Sequence, residues 1–524
     1  MQTSSNGTAS PQWLPRALSN CPQGTALALT VLIALGVRLY LSLTSYCIAG
    51  DGVAYLAMAR DFAAGAPDKA LAAVFSPLYP WTIAAVHPLI PDWELAGNLV
   101  SAILGSAAVA TVYLMTREAF ARTDLAIGAA VLTAIHPDLA AYSASVRTEA
   151  GFVFLLTAAM WLLIAGLKRH RIAIVVAAGI SSGIAYLYRT EAIGLPLFVA
   201  GFVLPAALWW RRWSLRWAVA ATIAFALSFL MVAAPYLIYL RETTGHWSVG
   251  REFTAAMMYG MGEVAPDTLK WQRLGYSTSV SPFAPIVANP WLYLEKVAGD
   301  FFASLYGFVQ ALGGLLTVLM FVGIWRRGRA LLDSFAETML ALFTAFYLAG
   351  FSFSYTGARF MVHLIPFTFG WVMIGLEAAS DAFRRLIAST SFATVPQCAP
   401  AVALAFIMLP QTLWPIGYDM RGVRYAGEEI ARRTAGQPAA VVARDGRFAY
   451  YAHASLIMMP FTTVPNLCAW LQLHTHNDAT YLVLANSDER RFGITTTTQC
   501  VSFIRRYPRY GTRYYDLFRV RHSK

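Results

Sequence analysis

A run of about 20 apolar residues is long enough to cross a bilayer as a helix, and this chain repeats such runs along most of its length. We count about eleven, near 25–43, 95–115, 125–142, 150–167, 172–188, 192–210, 217–240, 301–325, 335–354, 360–378 and 398–417. In hydrocarbon every backbone N–H and C=O must find a partner inside the protein, and helices achieve this within each segment. The expected fold class is therefore a polytopic α-helical membrane protein. Composition agrees, with 13% charged residues where a soluble domain has roughly 25%. A net charge of +12 can signal a nucleic-acid partner, but in membrane proteins Lys and Arg collect in cytoplasmic connections, so no nucleic acid is expected.

The positions of the basic residues support that reading. Arg117 and Arg122, Lys168 to Arg171, Arg211 to Arg216, Arg326 to Arg329, and Arg384 with Arg385 fall at alternate connections between the apolar runs. The positive-inside rule places these connections and the amino terminus in the cytoplasm. Residues 1–24 are then a cytoplasmic segment without the features of a cleavable signal. Residues 25–419 form the transmembrane domain, with large outward loops at 44–94 and 241–300. Residues 420–524 read as a small extracytoplasmic α/β domain, because strand-like Ala439–Ala443 and Tyr481–Ala485 flank helical stretches such as Tyr425–Ala435. Cys468 and Cys500 either pair there or stay as separate thiols.

Ionisable residues at membrane depth are costly and so mark function. Here they gather at the outward connections. Asp51 stands in Gly50-Asp51-Gly52 with Tyr55 one turn on, Arg147 and Glu149 in the next outward turn, Arg189 and Glu191 in the one after, and Arg359 with His363 further along. Each also has a plain structural explanation: Asp51 as a helix cap, Glu149 and Glu191 as partners of the arginines, Arg359 reaching to headgroups, and His363, like His136 and Asp138, as a polar residue at a helix end. Together, outward carboxylates and guanidiniums suit an anionic, membrane-embedded substrate. A carboxylate can take a proton from an acceptor and cations can stabilise a departing phosphate. The chain has no Gly-rich phosphate loop, no dinucleotide fingerprint and no His-Glu-x-x-His.

On these residues the chain resembles the integral-membrane glycosyltransferases of the GT-C class, in particular the branch containing protein O-mannosyltransferases and lipid A aminoarabinose transferases. Asp51 with Tyr55 and Ala59-Arg60, Pro77-Leu78-Tyr79, Pro137, the stretch Tyr142 to Glu149, Gly183 to Glu191 and Arg359 to Pro366 carry the similarity. The resemblance implies transfer of a sugar from a polyprenyl monophosphate to an acceptor outside the cytoplasm. The acceptor class, whether lipid, glycan or protein, stays open. Carried over, Asp51 would be the general base or the orienter of the acceptor, and Glu149 the second acid of the site. Arg189 and Arg359 are our candidates for the donor phosphate, with Tyr55, Arg147, Glu191 and His363 supporting them. No cofactor is expected, although two carboxylates leave a divalent metal possible. Gly52 replaces the second acid common at the first position, and Phe75-Ser76 replaces the Glu-Lys of the aminoarabinose enzymes.

A flippase or exporter of a lipid-linked sugar is the alternative. Transporters site their binding groups near the bilayer midplane on broken helices, whereas these polar residues lie at helix ends. The implied setting is a bacterial inner membrane with the site facing the periplasm.

Overall fold

The computed structural model describes residues 22–521 apart from 211–212, most of 252–288, 355, 388–397, 460–465, 476–478, 493–497 and 510–512. The segment 1–24, much of the 241–300 loop, and Arg211 and Arg212 thus fall wholly or largely outside the described residues.

Helices form in every one of the apolar runs. They include α1 (Gln23–Leu43), α2 (Gly50–Ala63), α3 (Leu78–Val86), α4 (Trp93–Phe120), α5 (Thr123–Ile135), α6 (Glu149–Arg169), α7 (Ile172–Tyr188), α8 (Gly194–Trp210) and α9 (Leu215–Thr244). There follow α10 (Pro290–Leu312), α11 (Gly314–Arg327), α12 (Phe335–Phe351), α13 (Phe369–Ile387) and α14 (Ala399–Thr412). Among the described residues, five helices are long and apolar enough to cross a membrane, or six if the bent pair α10 and α11 counts as one span. The others are shorter, and three expected spans are interrupted. The run 125–142 stops at Ile135 and restarts at Pro137, because a proline supplies no N–H to continue the helix. The run 301–325 turns through 102° at Gly313, whose φ of +87° favours glycine. The run 360–378 begins as a helical turn at Ala358–Met361 and a 3-10 turn at Ile365–Thr368 before α13. The segment 44–94, expected as a large outward loop, is largely helical through α2, Pro67–Leu71 and α3.

The two ends of the bundle differ. At one end the basic connections are tied to acids: Arg122 to Glu377 at 3.0 Å, Arg169 to Glu118 at 2.8 Å, and Arg384 to Asp381 at 2.9 Å. Trp209 and Trp325 are exposed near this end, and Trp81, Trp247, Trp291 and Trp414 near the other, a distribution suited to two bilayer interfaces.

Beyond α14 the chain builds a five-stranded sheet. Its strands are β1 (Ala440–Ala443), β2 (Ser455–Met458), β3 (Thr480–Ala485), β4 (Val501–Pro508) and β5 (Tyr514–Val520), in the order β2-β1-β3-β5-β4. The first three run parallel and the last two antiparallel to their neighbours. Helices α15 (Arg421–Thr434) and α16 (Gly446–Ala452) belong to this unit. Cys468 and Cys500 are joined by a disulfide, their Cα atoms 5.6 Å apart.

Candidate active site

Four breaks between helices deliver these charges to one place. Asp51 lies in the first turn of α2. The N-cap there is Ala49, with no capping side chain, so the carboxylate is not used as a cap. Glu149 is the first residue of α6. Both acids therefore sit where a helix dipole favours negative charge. Arg189 directly follows α7. Arg359 lies in the short helical turn Ala358–Met361 that follows Gly357, whose φ is +126°.

The guanidinium of Arg359 stands between the two acids. Its Nη1 donates to Oδ2 of Asp51 at 2.6 Å, and its Nε donates to Oε1 of Glu149 at 2.5 Å. The same Glu149 oxygen lies 3.6 Å from Nη1 of Arg189 and 3.9 Å from Nη1 of Arg147. Arg189 donates through Nη1 to the Thr148 hydroxyl at 3.2 Å and through Nη2 to Oε1 of Glu191 at 2.5 Å. Three carboxylates thus meet three guanidiniums. Glu149 is only 1% exposed, and an isolated ion at that depth would be strongly unfavourable. Aromatic faces complete the packing: Arg147 lies 4.8 Å from the Tyr142 ring, and Arg189 lies 5.9 Å from Phe152 and 5.8 Å from Phe360.

These groups border a cavity of about 230 Å³ whose wall includes Asp51, Tyr55, Ser76, Tyr188, Arg189 and Arg359. Tyr55 is fixed by Phe75 and Tyr79, with ring centres 4.8 and 5.4 Å away. Glu191 borders both this cavity and a second, of about 250 Å³, lined mainly by apolar side chains such as Leu197, Met257, Phe346 and Phe351. A polar chamber and an apolar slot therefore adjoin.

Asp51, Tyr55, Arg147, Glu149, Arg189, Glu191 and Arg359 all meet in the ion-pair network or on the cavity wall. His363 is buried behind it, edge-on to Phe152 at 4.8 Å, with no hydrogen bond at either ring nitrogen. His136 is elsewhere, its Nε2 3.4 Å from the Leu312 carbonyl oxygen. Sequence reasoning missed Thr148, Phe360, Tyr188 and Ser76. Thr148 had a signal, a hydroxyl wedged between Arg147 and Glu149. Tyr188 and Phe360 had the same kind of signal, directly before Arg189 and after Arg359, whereas Ser76 owes its place to packing between distant helices, which no local pattern encodes. Among the described residues, no group of three or more His, Cys, Asp or Glu side chains is arranged to hold a metal ion.

Comparison with known proteins extends this picture. The family described as dolichyl-phosphate-mannose-protein mannosyltransferase matches residues 72–239, the stretch from just before α3 through most of α9. No curated protein matches the chain by sequence. Solved structures match it over most of its length. The apo oligosaccharyltransferase of Archaeoglobus fulgidus superposes with a TM-score of 0.60 at 16% identity, covering 88% of this chain and 69% of that one. ArnT from Cupriavidus metallidurans bound to undecaprenyl phosphate gives 0.57 at 14% identity, covering 95% of this chain and 98% of that one. The A. fulgidus oligosaccharyltransferase AglB in complex with an inhibitory peptide and a dolichol-phosphate gives 0.57 at 14% identity, with 88% and 69% covered. The chain shares the fold of these proteins, and it resembles the GT-C glycosyltransferases in both that fold and its matched segment.

Proposed function

We propose that this protein is a membrane glycosyltransferase that moves a sugar from a polyprenyl-phosphate donor to a lipid, glycan or protein acceptor on the extracytoplasmic face, the periplasmic side of a bacterial inner membrane. The observation that carries the reading is Arg359 bridging Asp51 and Glu149 at the wall of the polar chamber. The adjoining apolar slot offers room for a lipid chain beside a site for its phosphate. ArnT bound to undecaprenyl phosphate and AglB bound to a dolichol-phosphate, both of this fold, support the same substrate class.

In the proposed step an acceptor O–H or N–H attacks the anomeric carbon of the sugar. The carbon–oxygen bond to phosphate breaks, the electron pair leaves with the lipid phosphate, and the acceptor proton passes to Asp51. Arg359 has five N–H donors and spends two on the acids, which leaves both on Nη2 and one on Nη1 for the phosphate oxygens. Those bonds strengthen as the leaving group gains charge, which is where stabilisation accelerates a reaction. Arg189, held by Thr148 and Glu191, adds positive field and keeps Glu149 in place. Residues 420–524 act as the extracytoplasmic unit above the site.

The test uses purified protein in detergent with polyprenyl-phosphate sugars and candidate acceptors, followed by mass spectrometry. Wild type is expected to consume donor and release polyprenyl phosphate, while Asp51→Asn remains folded and inactive. Near-normal turnover by Asp51→Asn removes that residue from the mechanism. An intact donor pool, with movement of the same lipid in sealed vesicles, makes the protein a flippase.

A further inference from the structure

The segment just before Asp51 is held by the domain that follows the membrane helices, some 400 residues later in the chain. Residues 45–49 leave α1 in a non-helical conformation, so their backbone groups need partners from outside. The Tyr46 N–H donates to the carbonyl of Ile416 at 2.8 Å. The Ile48 N–H donates to the hydroxyl of Tyr451 at 2.7 Å, and that hydroxyl faces both carboxylate oxygens of Glu94 at 3.4 Å. The carbonyl of Ile48 accepts from Nη1 of Arg447 at 3.4 Å. Arg447 is itself oriented by two contacts to Asp445, at 2.9 and 2.5 Å. Tyr451 is fixed from its other side by Arg424, 5.3 Å from its ring. Cys47 and Ile48 are 3% and 2% exposed beneath these groups.

Farther along α2 the same arrangement continues. Arg60 lies 5.7 Å from the ring of Tyr450 and 5.8 Å from that of Trp93. Both ends of the helix carrying Asp51 therefore rest on α16 or its neighbours. The contact is polar and directional at the end that matters, three residues before Asp51, whereas an ordinary domain contact would be spread over apolar surface.

We propose that Tyr451 and Arg447 are positioning residues that set the place of Asp51, so that the α/β domain is a structural part of the site and not only a cover for it. This rests on the transferase reading for its kinetic consequence, but the clamp itself is a conformational claim with its own readout. A general base must lie within hydrogen-bond reach of the proton it removes, and a displacement of 1 Å can cost on the order of 100-fold in rate.

The test uses full-length protein carrying Cys21→Ser and Cys398→Ser, which leaves Cys47 as the free thiol beside the disulfide. Tyr451→Phe keeps the ring and removes the hydroxyl. Arg447→Lys keeps the charge and loses the fork held by Asp445. Maleimide labelling of Cys47 is expected to accelerate at least about fivefold in Tyr451→Phe, with the unfolding temperature little changed. In the transfer assay, kcat is expected to fall about tenfold or more while the donor KM stays within about twofold. Arg447→Lys should show an intermediate effect on both measurements. Unchanged Cys47 labelling in both variants overturns the clamp whatever the protein catalyses. Faster labelling with unchanged kcat overturns the positioning role, and faster labelling in a protein without transferase activity overturns the functional reading alone.

Discussion

Arg359 serves two carboxylates from the first third of the chain, 308 and 210 residues away. Such bridging needs a planar fork, which lysine lacks. Arg359→Lys should therefore keep the charge but lose most turnover, and Arg359→Ala should weaken donor binding more than acceptor binding in titrations of each substrate. The reverse order would assign Arg359 to the acceptor. Glu149 sits deeper and faces three guanidiniums. Glu149→Gln leaves those cations under-compensated, and breaking buried pairs of this sort costs about 3–5 kcal/mol. Thermal unfolding in detergent should show a clear loss of stability beyond any loss of activity. The residue types here were legible in the sequence, because charges at membrane depth stand out against apolar runs. Their pairing was not, since nothing near Asp51 names a partner 308 residues ahead.

The helix breaks that assemble the site were partly legible. Hydropathy locates the runs but is blind to bends within them, so the turn at Gly313 and the restart at Pro137 escaped a scale that counts apolar residues. At Gly52 the reason for glycine is close approach. A Cβ there would stand 2.8 Å from Cγ1 of Ile48 and 3.1 Å from the Val146 carbonyl oxygen, which lies three residues before Glu149. Gly52→Ala should push α2 from that turn, lowering turnover about tenfold or more while α2 stays helical. Kinetics and circular dichroism together check this. In the α/β domain, burial and the nearby Asp516 carboxylate push the Glu489 carboxyl up to about 7. The fold then binds a proton that the unfolded chain gives up near pH 4.3. Its stabilising effect is full below that pH and is lost as pH rises through about 7. The protection of β5 against hydrogen exchange, corrected for the intrinsic base-catalysed rate, should fall between pH 5 and 8 in wild type, and Glu489→Gln should flatten that dependence.

At the scale of the molecule, the α/β character of residues 420–524 was readable from alternating strands, and the strands at 440–443 and 480–485 fall within one residue of those expected. The order of the sheet, with β5 inserted between β3 and β4, was not readable, since register depends on contacts across the whole domain. The disulfide closes a separation of 32 residues, a loop for which chain entropy alone gives roughly 3–4 kcal/mol. Reductant should lower the melting temperature of this domain and, through the clamp, raise the labelling rate of Cys47. A labelling rate indifferent to reduction would separate the disulfide from the clamp.

The position of β5 also sets a timetable. Tyr515 in that strand packs against Phe448 of α16, with ring centres 5.1 Å apart, so the helix bearing Tyr451 gains its last support only when β5 is made. At about 5–20 residues per second, Asp51 leaves the ribosome roughly twenty seconds to a minute and a half before β5 does. During synthesis the chain thus has its apolar helices before the clamp on the segment leading to Asp51 is complete. On the proposed reading, a truncated or stalled chain would occupy the membrane without transfer activity, which would begin only once the strand that completes the sheet has emerged.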